Sequence, residues 1–468
     1  VLAPTIDDVI DDDPVTSPSS PPSRWWQRLR PTALLTDPPP SRFESWWTWW
    51  LLWSAGTAFE LWRVSSVRGW TSLWAEDGRV FLTQQLSLGT WRAFFTSYNG
   101  YGHLLPRLFT AVNSLFPLRD AAVLVCGEAA AVAALCAVVV ARASRSLIPS
   151  WTLRLAMGAT LLGMPITGVE NLTNLANLQW YMMSALIWTV LWRPRHWSGR
   201  VLSVAIVLGA IGCSPLATLA LPLVLWRLWV WRDRFQWALV VAAALGCWYQ
   251  LSLVASLSVH HYRNDPAPSI SDLLHLYGLR VAFGSFGGWT QTTNAYLKWH
   301  FVMGDRTFAL AVVLTLVMAA LVPTKRSVVA IAFLVASVGF FSLTLELRGF
   351  ALAHLPWWSI LSTGARYSVV PLMLFVGAVM LAAQTVVERI RWLLPLMVAV
   401  FVVVAYSWYP NEQATPLRTP RVAWPHALGQ ATGWCHGKPA IAVINVPTTP
   451  QGWFVQAPCP ALDAHSGE

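Results

Sequence analysis

The chain has 468 residues, 55% of them hydrophobic and only 12% charged, with a mean hydropathy of +0.49. So little charge cannot cover a water-soluble protein of this size, which excludes a soluble globular enzyme and makes the bilayer the natural solvent. The formal charge of +10 does not indicate nucleic acid as a partner, because the arginines fall between apolar runs instead of forming one basic face.

Residues 1–45 are acidic and then rich in Pro and Ser, a composition that cannot bury enough surface to fold alone. They are expected to form a disordered cytoplasmic tail. No basic, short-apolar, small-residue pattern precedes the first apolar run, so that run, Trp46 to about Trp62, is expected to be retained as a span. Further spans are expected at Asp120–Val140, Leu153–Ile166, Leu175–Trp192, Val201–Cys213, Pro215–Val230, Trp237–Val259, Thr307–Val322, Ser327–Leu345, Tyr367–Val387 and Trp392–Trp408. The fold class is therefore an all-α polytopic membrane protein of about eleven transmembrane helices, within a range of nine to twelve because Val201–Cys213 is short for a crossing. Tryptophans gather at the ends of these runs, as in Trp46, Trp47, Trp49 and Trp50, where the indole suits the interface with membrane lipids.

Under this threading Arg142, Arg145, Arg193, Arg195, Arg200, Arg232, Arg234, Lys325, Arg326, Arg389 and Arg391 share one side, which the positive-inside bias makes cytoplasmic. The chain then reads N-in and C-out, as a multi-pass protein of the plasma (bacterial inner) membrane. A transmembrane catalytic domain covers 46–408, with outer loops at about 63–119, 260–306 and 346–366, and a small extracytoplasmic tail covers 409–468. Function is expected on the outer loops. Cys126, Cys136, Cys213 and Cys247 lie in spans, whereas Cys435 and Cys459 lie in the outward tail, where oxidation is permitted and a disulfide between them is expected.

Four outer patches carry chemistry. Trp74-Ala-Glu-Asp-Gly-Arg-Val-Phe81 places two adjacent carboxylates, Glu76 and Asp77, directly outside the first span. Carboxylates at a membrane surface must be solvated or occupied, and Asp77 also reads as the N-cap of an amphipathic juxtamembrane helix beginning near Val80. Tyr98, Asn99, Tyr101, His103 and Arg107 follow in a Gly-containing stretch whose aromatic faces suit sugars and whose arginine suits phosphate. The same stretch also reads as an interfacial turn. Asn171, Asn174 and Asn177 recur every three residues, with Gln179 close by, so on a helix they would share one face for ligand hydroxyls or for interhelical hydrogen bonds. Arg366 and Tyr367 stand where the last outer loop enters a span, with Arg348 as a second basic candidate and His260-His261 given little weight.

The Glu76-Asp77 pair beside the first span resembles the acidic motif of the GT-C class of integral membrane glycosyltransferases, and "EDG" followed by "YNGYG" and "PR" resembles bacterial branches of that class. The resemblance implies helices lying along the outer surface in the first loop and a polyprenyl-phosphate sugar donor. It implies an outward-facing site that transfers the sugar to a cell-envelope glycan or lipid acceptor. An inverting transfer needs a base for the acceptor hydroxyl. Asp77 is the candidate, with Glu76 orienting it or joining it on a divalent cation such as Mg or Mn. Arg366, Arg107 and Arg348 are candidates for the donor phosphate, and Tyr98, Asn99, Tyr101, His103, Asn174, Asn177, Gln179 and Tyr367 for sugar or acceptor. The chain departs from better-defined members in lacking a large C-terminal soluble domain. Two other functions compete. An O-antigen ligase or polymerase would place its catalytic loop later in the chain, and a lipid-linked-sugar transporter or flippase would show midplane charges and repeated broken helices.

Overall fold

A computed structural model describes residues 44–163, 165–166, 168–254, 269–321, 324–347, 361, 364–408, 418–439 and 441–464. The N-terminal tail to residue 43, the His260–Asp265 stretch and Arg348 lie outside the described residues. The protein is an all-α membrane protein: among the described residues five helices are long and apolar enough to cross a bilayer, and four shorter apolar helices accompany them.

Helix α1 (Trp46–Arg63) starts at an N-cap where the Ser45 hydroxyl accepts from the Thr48 amide at 3.2 Å. A series of short helices follows: a π-helical turn at Asp77–Leu82, then α2 (Thr83–Leu88), α3 (Thr90–Phe94) and α4 (Leu104–Asn113). Next come α5 (Ala121–Ala143), α6 (Trp151–Gly163), α7 (Leu178–Leu191), α8 (Trp197–Cys213), α9 (Leu221–Trp231) and α10 (Arg234–Val254). Each apolar run read as a span contains one helix.

Alanine-rich α5 lies at the centre because its small residues let neighbours approach closely. A Cβ added at Gly56 of α1 would meet the Ala134 Cβ at 3.1 Å, and one at Gly158 of α6 would meet the Ala137 carbonyl at 3.0 Å. In lipid there is no hydrophobic drive between helices, so such close backbone contact supplies the packing.

Residues 270–299, within a segment expected to form an outer loop, are helical on both sides of a break at Gly288. They form α11 (Ile270–Tyr277), a second π-helical turn at Gly278–Phe283, and α12 (Gly284–Trp299), kinked at Gly288 where φ is 64°. A capping box between Ser269 and Asp272 starts this run. Its Leu276, Tyr277, Leu279, Val281 and Ala282 are buried, and Tyr277 meets Phe308, Phe341 and Phe375 edge-on at 4.9, 5.6 and 6.5 Å. The Gly, Thr and Asn residues that follow dilute the apolar signal in the sequence, while burial in the bundle decides the structure.

The chain continues as α13 (Val302–Leu321), α14 (Lys325–Glu346), α15 (Val369–Arg389) and α16 (Leu393–Trp408). The basic loops collect at one end of the bundle. There Glu44 bridges Arg145 (2.6 Å) and Arg154, Arg193 pairs with Asp233 at 3.2 Å, Arg326 pairs with Glu388, and Arg142 stacks on Trp49 and Trp192.

At the other end the C-terminal segment forms a small unit of α17 (Trp424–Cys435), antiparallel strands β1 (Val443–Pro447) and β2 (Phe454–Pro458), and α18 (Cys459–Ala464). A Cys435–Cys459 disulfide with Cα atoms 5.3 Å apart closes it. The unit packs onto the first inter-helix segment, as shown by the Trp424 indole N–H donating to the Leu118 carbonyl at 2.8 Å.

Between α7, α9, α14 and α15, with the Pro215–Ala220 turn, lies a cavity of about 840 Å³ whose lining residues are all apolar, among them Met183, Leu186, Leu216, Phe333, Phe340 and Val370.

Candidate functional site

The end of the bundle opposite the basic loops brings together residues from all the described outer patches. Glu76 and Asp77 sit at the entry of the first π-helical turn, directly after Ala75, whose φ is 37°. Single π-helical turns recur at functional sites because they re-aim side chains that a regular helix would bury.

The two carboxylates have different surroundings. Asp77 is 2% exposed, and its oxygens accept the backbone N–H groups of Leu175 (3.0 Å) and Ala176 (2.9 Å). Burial raises its pKa from 3.8 to about 7, against the lowering effect of those two bonds, and the neighbouring Glu76 charge pushes the same way as burial. Glu76 is half-buried, and its charge lies within electrostatic reach of Tyr98 and Arg366.

Arg366 enters from the 3₁₀ turn that leads into α15. Its backbone N–H donates to Glu170 Oε2 at 3.0 Å, its guanidinium stacks on Tyr367 at 5.4 Å, and Glu170 and Glu76 are both charge neighbours. Tyr367 in turn packs edge-on against Trp180 at 5.4 Å. A fourth charge comes from the second π-helical turn: Arg280 is 1% exposed and has Glu170 as its electrostatic partner, and burial lowers its pKa to about 10. Glu76 and Glu170 thus face Arg366, while Arg280 stands behind Glu170.

The aromatic patch forms one wall. Asn99 and Gly100, with φ of 52° and 82°, make a tight turn between Tyr98 and Tyr101, which exchange backbone hydrogen bonds of 3.1 and 3.3 Å. Asn-Gly is the pair that tolerates two such positive φ values. The Tyr101 hydroxyl accepts from Gln179 Nε2 at 3.3 Å, joining this wall to the start of α7. Asn99 is exposed at the tip of the turn.

Several expected ligand residues have other duties. His103 is 3% exposed and enclosed by Phe81, Tyr98 and Tyr101 at 5.5, 5.5 and 4.4 Å. Burial, with help from Arg107, lowers its pKa to about 3, and the neutral ring packs against these aromatics. Arg107 is 2% exposed and turned onto Gln84, the Thr96 carbonyl at 3.0 Å and the face of Phe81 at 4.9 Å. These contacts hold the Arg107 guanidinium within the first outer segment, whereas Arg366 is held by Glu170 and Tyr367.

Residues 172–177 are not helical, and the asparagines do not form the single helix face that their spacing suggests. Asn174 and Asn177 each donate to the Glu170 carbonyl at 2.7 Å, the Asn174 side-chain oxygen accepts the Asn177 amide at 3.0 Å, and Asn177 also accepts from the Trp180 indole at 3.3 Å. Their hydrogen-bonding capacity folds the loop that presents Glu170 and the two amides bound by Asp77. Asn171 is buried within the same loop, at 1% exposure.

The donor set does not suit a resident divalent cation. Among the described residues no three His, Cys, Asp or Glu side chains cluster, and both Asp77 oxygens already accept backbone N–H groups. Oxygen-coordinated cations need several open carboxylate or carbonyl ligands.

Sequence reasoning missed Glu170 as an acid, and it missed Arg280 and Arg418. A lone arginine inside the apolar stretch Leu279-Arg-Val-Ala was the available signal for Arg280. Arg418 offered none, since its importance comes from the tail folding back.

Polar and apolar regions adjoin. Val370, at the start of α15, follows the 3₁₀ turn that carries Arg366, and Met183 follows Gln179 by four residues on α7, so the lining of the apolar cavity adjoins the site in both segments. Comparison of the chain with protein-family models, curated proteins and solved structures finds no match.

Proposed function

We propose that this protein is a membrane-embedded glycosyltransferase. It takes a sugar from a polyprenyl-phosphate donor and passes it to a glycan or lipid acceptor of the cell envelope. The observation that carries the reading is the order of environments: a half-buried arginine and a half-buried carboxylate near two tyrosines, adjoining an apolar cavity of about 840 Å³. A donor of this class has that same order of parts, a sugar, a phosphate and a long hydrocarbon.

The residues divide the work by their surroundings. Arg366 meets the donor phosphate with a charge-assisted contact, and Glu170 fixes the turn that presents it. Glu76 takes the acceptor proton because its lone pairs are open, whereas both Asp77 oxygens hold backbone amides. The base is thereby reassigned from Asp77 to Glu76, with Asp77 holding the turn. Tyr98 and Tyr101 offer stacking faces to the sugar. The sugar leaves the phosphate as the acceptor oxygen bonds to its anomeric carbon, and the proton passes to the carboxylate.

In this reading the eleven helices that the apolar runs contain, α1, α5 to α10 and α13 to α16, cross the membrane, and the end carrying Arg145, Arg193 and Arg326 is cytoplasmic by the positive-inside bias. The site then faces outward from the plasma membrane.

Transfer from a polyprenyl-phosphate sugar by the purified full chain tests the proposal. Glu76→Gln should lower turnover on the order of a hundredfold or more with the donor KM little changed, and Arg366→Ala should raise the donor KM. A Glu76→Gln protein that transfers sugar at the parent rate removes Glu76 from the mechanism.

A further inference from the structure

The disulfide-closed C-terminal unit reaches the acidic turn through backbone, cation and side-chain contacts at once. The Thr449 N–H donates to the Leu73 carbonyl at 3.0 Å and the Thr449 carbonyl accepts the Ala75 N–H at 2.5 Å, which makes a parallel bridge around Trp74. The Thr449 hydroxyl donates to Ser72 Oγ at 3.0 Å, and the Gln456 N–H donates to Thr83 Oγ1 at 2.9 Å. The tail therefore brackets the π-helical turn from both sides. Gly78 shows how close the approach is: a Cβ there would stand 2.9 Å from Thr448 Cγ2 and 3.1 Å from Val455 Cγ2.

Arg418 connects this bracket to the other half of the site. It is 3% exposed, its guanidinium lies 3.9 Å above the Trp74 ring, and it donates to the Leu172 carbonyl. Asp77 lies within its electrostatic reach. One cation thus holds the residue three before Asp77 and the residue three before the Leu175 amide that Asp77 binds. The backbone on either side is in conformations that ordinary L residues adopt only when their surroundings impose them. Ala75 has φ of 37° and Thr173 has φ of 45°, and the Thr173 side chain is β-branched. Tail contacts adjoin both residues: the Thr449 carbonyl accepts the Ala75 N–H, and Arg418 bonds the Leu172 carbonyl next to Thr173.

We infer that the C-terminal unit is a positioning element of the site: Thr449 and Arg418 hold the Trp74–Asp77 turn against the 172–176 loop in the arrangement that clamps Asp77 and turns Glu76 toward Arg366. The inference rests on reading that end of the bundle as the functional site. Arg418 is a positioning residue, since it acts through Asp77 and Leu172.

The test combines backbone hydrogen exchange with the transfer assay on the full, oxidised chain, for Arg418→Met, Arg418→Lys and Arg421→Met. Arg421 is a matched control, an exposed arginine of the same unit that bonds to Gln451. Arg418→Met should raise exchange in peptides covering 73–78 and 172–177 by about tenfold or more, as expected for loss of a buried charge-assisted contact. Exchange at 142–154, at the other end of the bundle, should not change. Turnover should fall while the donor KM stays near the parent value, Lys should restore part of both readouts, and Arg421→Met should match the parent. Unchanged exchange in both site peptides, or a rise spread over the whole chain, would overturn the inference. Local loosening with transfer at the parent rate would overturn it as well, by separating the clamp from the chemistry. A parent protein with no transfer activity defeats the proposed function alone, and the exchange arm still decides whether Arg418 holds the two segments together.

Discussion

Asp77→Asn should make the protein more stable at neutral pH, the opposite of what an N-cap role would produce. The two amides of Leu175 and Ala176 favour the carboxylate, but burial at 2% exposure disfavours it more, and the balance raises the pKa from 3.8 to about 7. The unfolded chain releases this proton near the ordinary value, so the folded state holds it more tightly. The stability contribution of Asp77 is then complete below about pH 4 and is lost as pH rises through about 7. Each tenfold in a proton equilibrium is worth about 1.4 kcal/mol, so the full loss is roughly 4 kcal/mol. Protonated Asp77 keeps an acceptor on each oxygen for the two amides, whereas the Asn nitrogen accepts nothing, so the variant leaves one amide unpaired at a cost of about 1–3 kcal/mol. The variant should therefore melt below the parent in acid, gain on it by up to about 4 kcal/mol as pH rises, and stand above it near pH 7.5. Melting in detergent from about pH 5 to 8 reads this out as a difference in midpoint that moves in the variant's favour with pH. A variant that melts below the parent at pH 7.5, by a margin that widens with pH, would mean that the amide bonds outweigh burial and would refute the reasoning. A site residue that costs stability in this way is one that function retains.

Gly78→Val should cost about 1–3 kcal/mol by driving side-chain atoms into Thr448 and Val455, seen as a lower melting midpoint and earlier proteolysis of the tail. Ala336→Trp places a large ring in the apolar cavity. It should raise the KM for a long-chain polyprenyl-phosphate sugar about tenfold and leave a short-chain donor little affected, and equal effects on both donors would place the hydrocarbon elsewhere.

Much of the architecture was legible from the residues alone. Low charge and long apolar runs require a lipid-facing helical protein, because backbone groups in hydrocarbon must bond within their own helix. Cys435 and Cys459, the two cysteines outside the apolar runs, are the two that are bonded. The patches around Glu76, Tyr98, Gln179 and Arg366 could be singled out because polar residues are costly at a membrane surface unless they have work there. What each one does was decided by tertiary structure. Adjacent Glu76 and Asp77 look equivalent in sequence, and only the arrival of the Leu175 and Ala176 amides from a loop about a hundred residues away separates an open carboxylate from a clamped one. The asparagine spacing suggested a helix face, but Asn174 and Asn177 find nearer partners in the Glu170 carbonyl, and their side chains compete with helix formation. Arg107 is drawn inward by Gln84 and Thr96, and Arg280 is carried into the site by a helix read as loop. Arg418 reaches Trp74 and Leu172 only once the last fifty residues fold back over the first loop. Local pattern determines where a chain can enter a membrane, whereas the hydrogen-bonding capacity left on a polar side chain depends on which distant backbone groups folding brings to it.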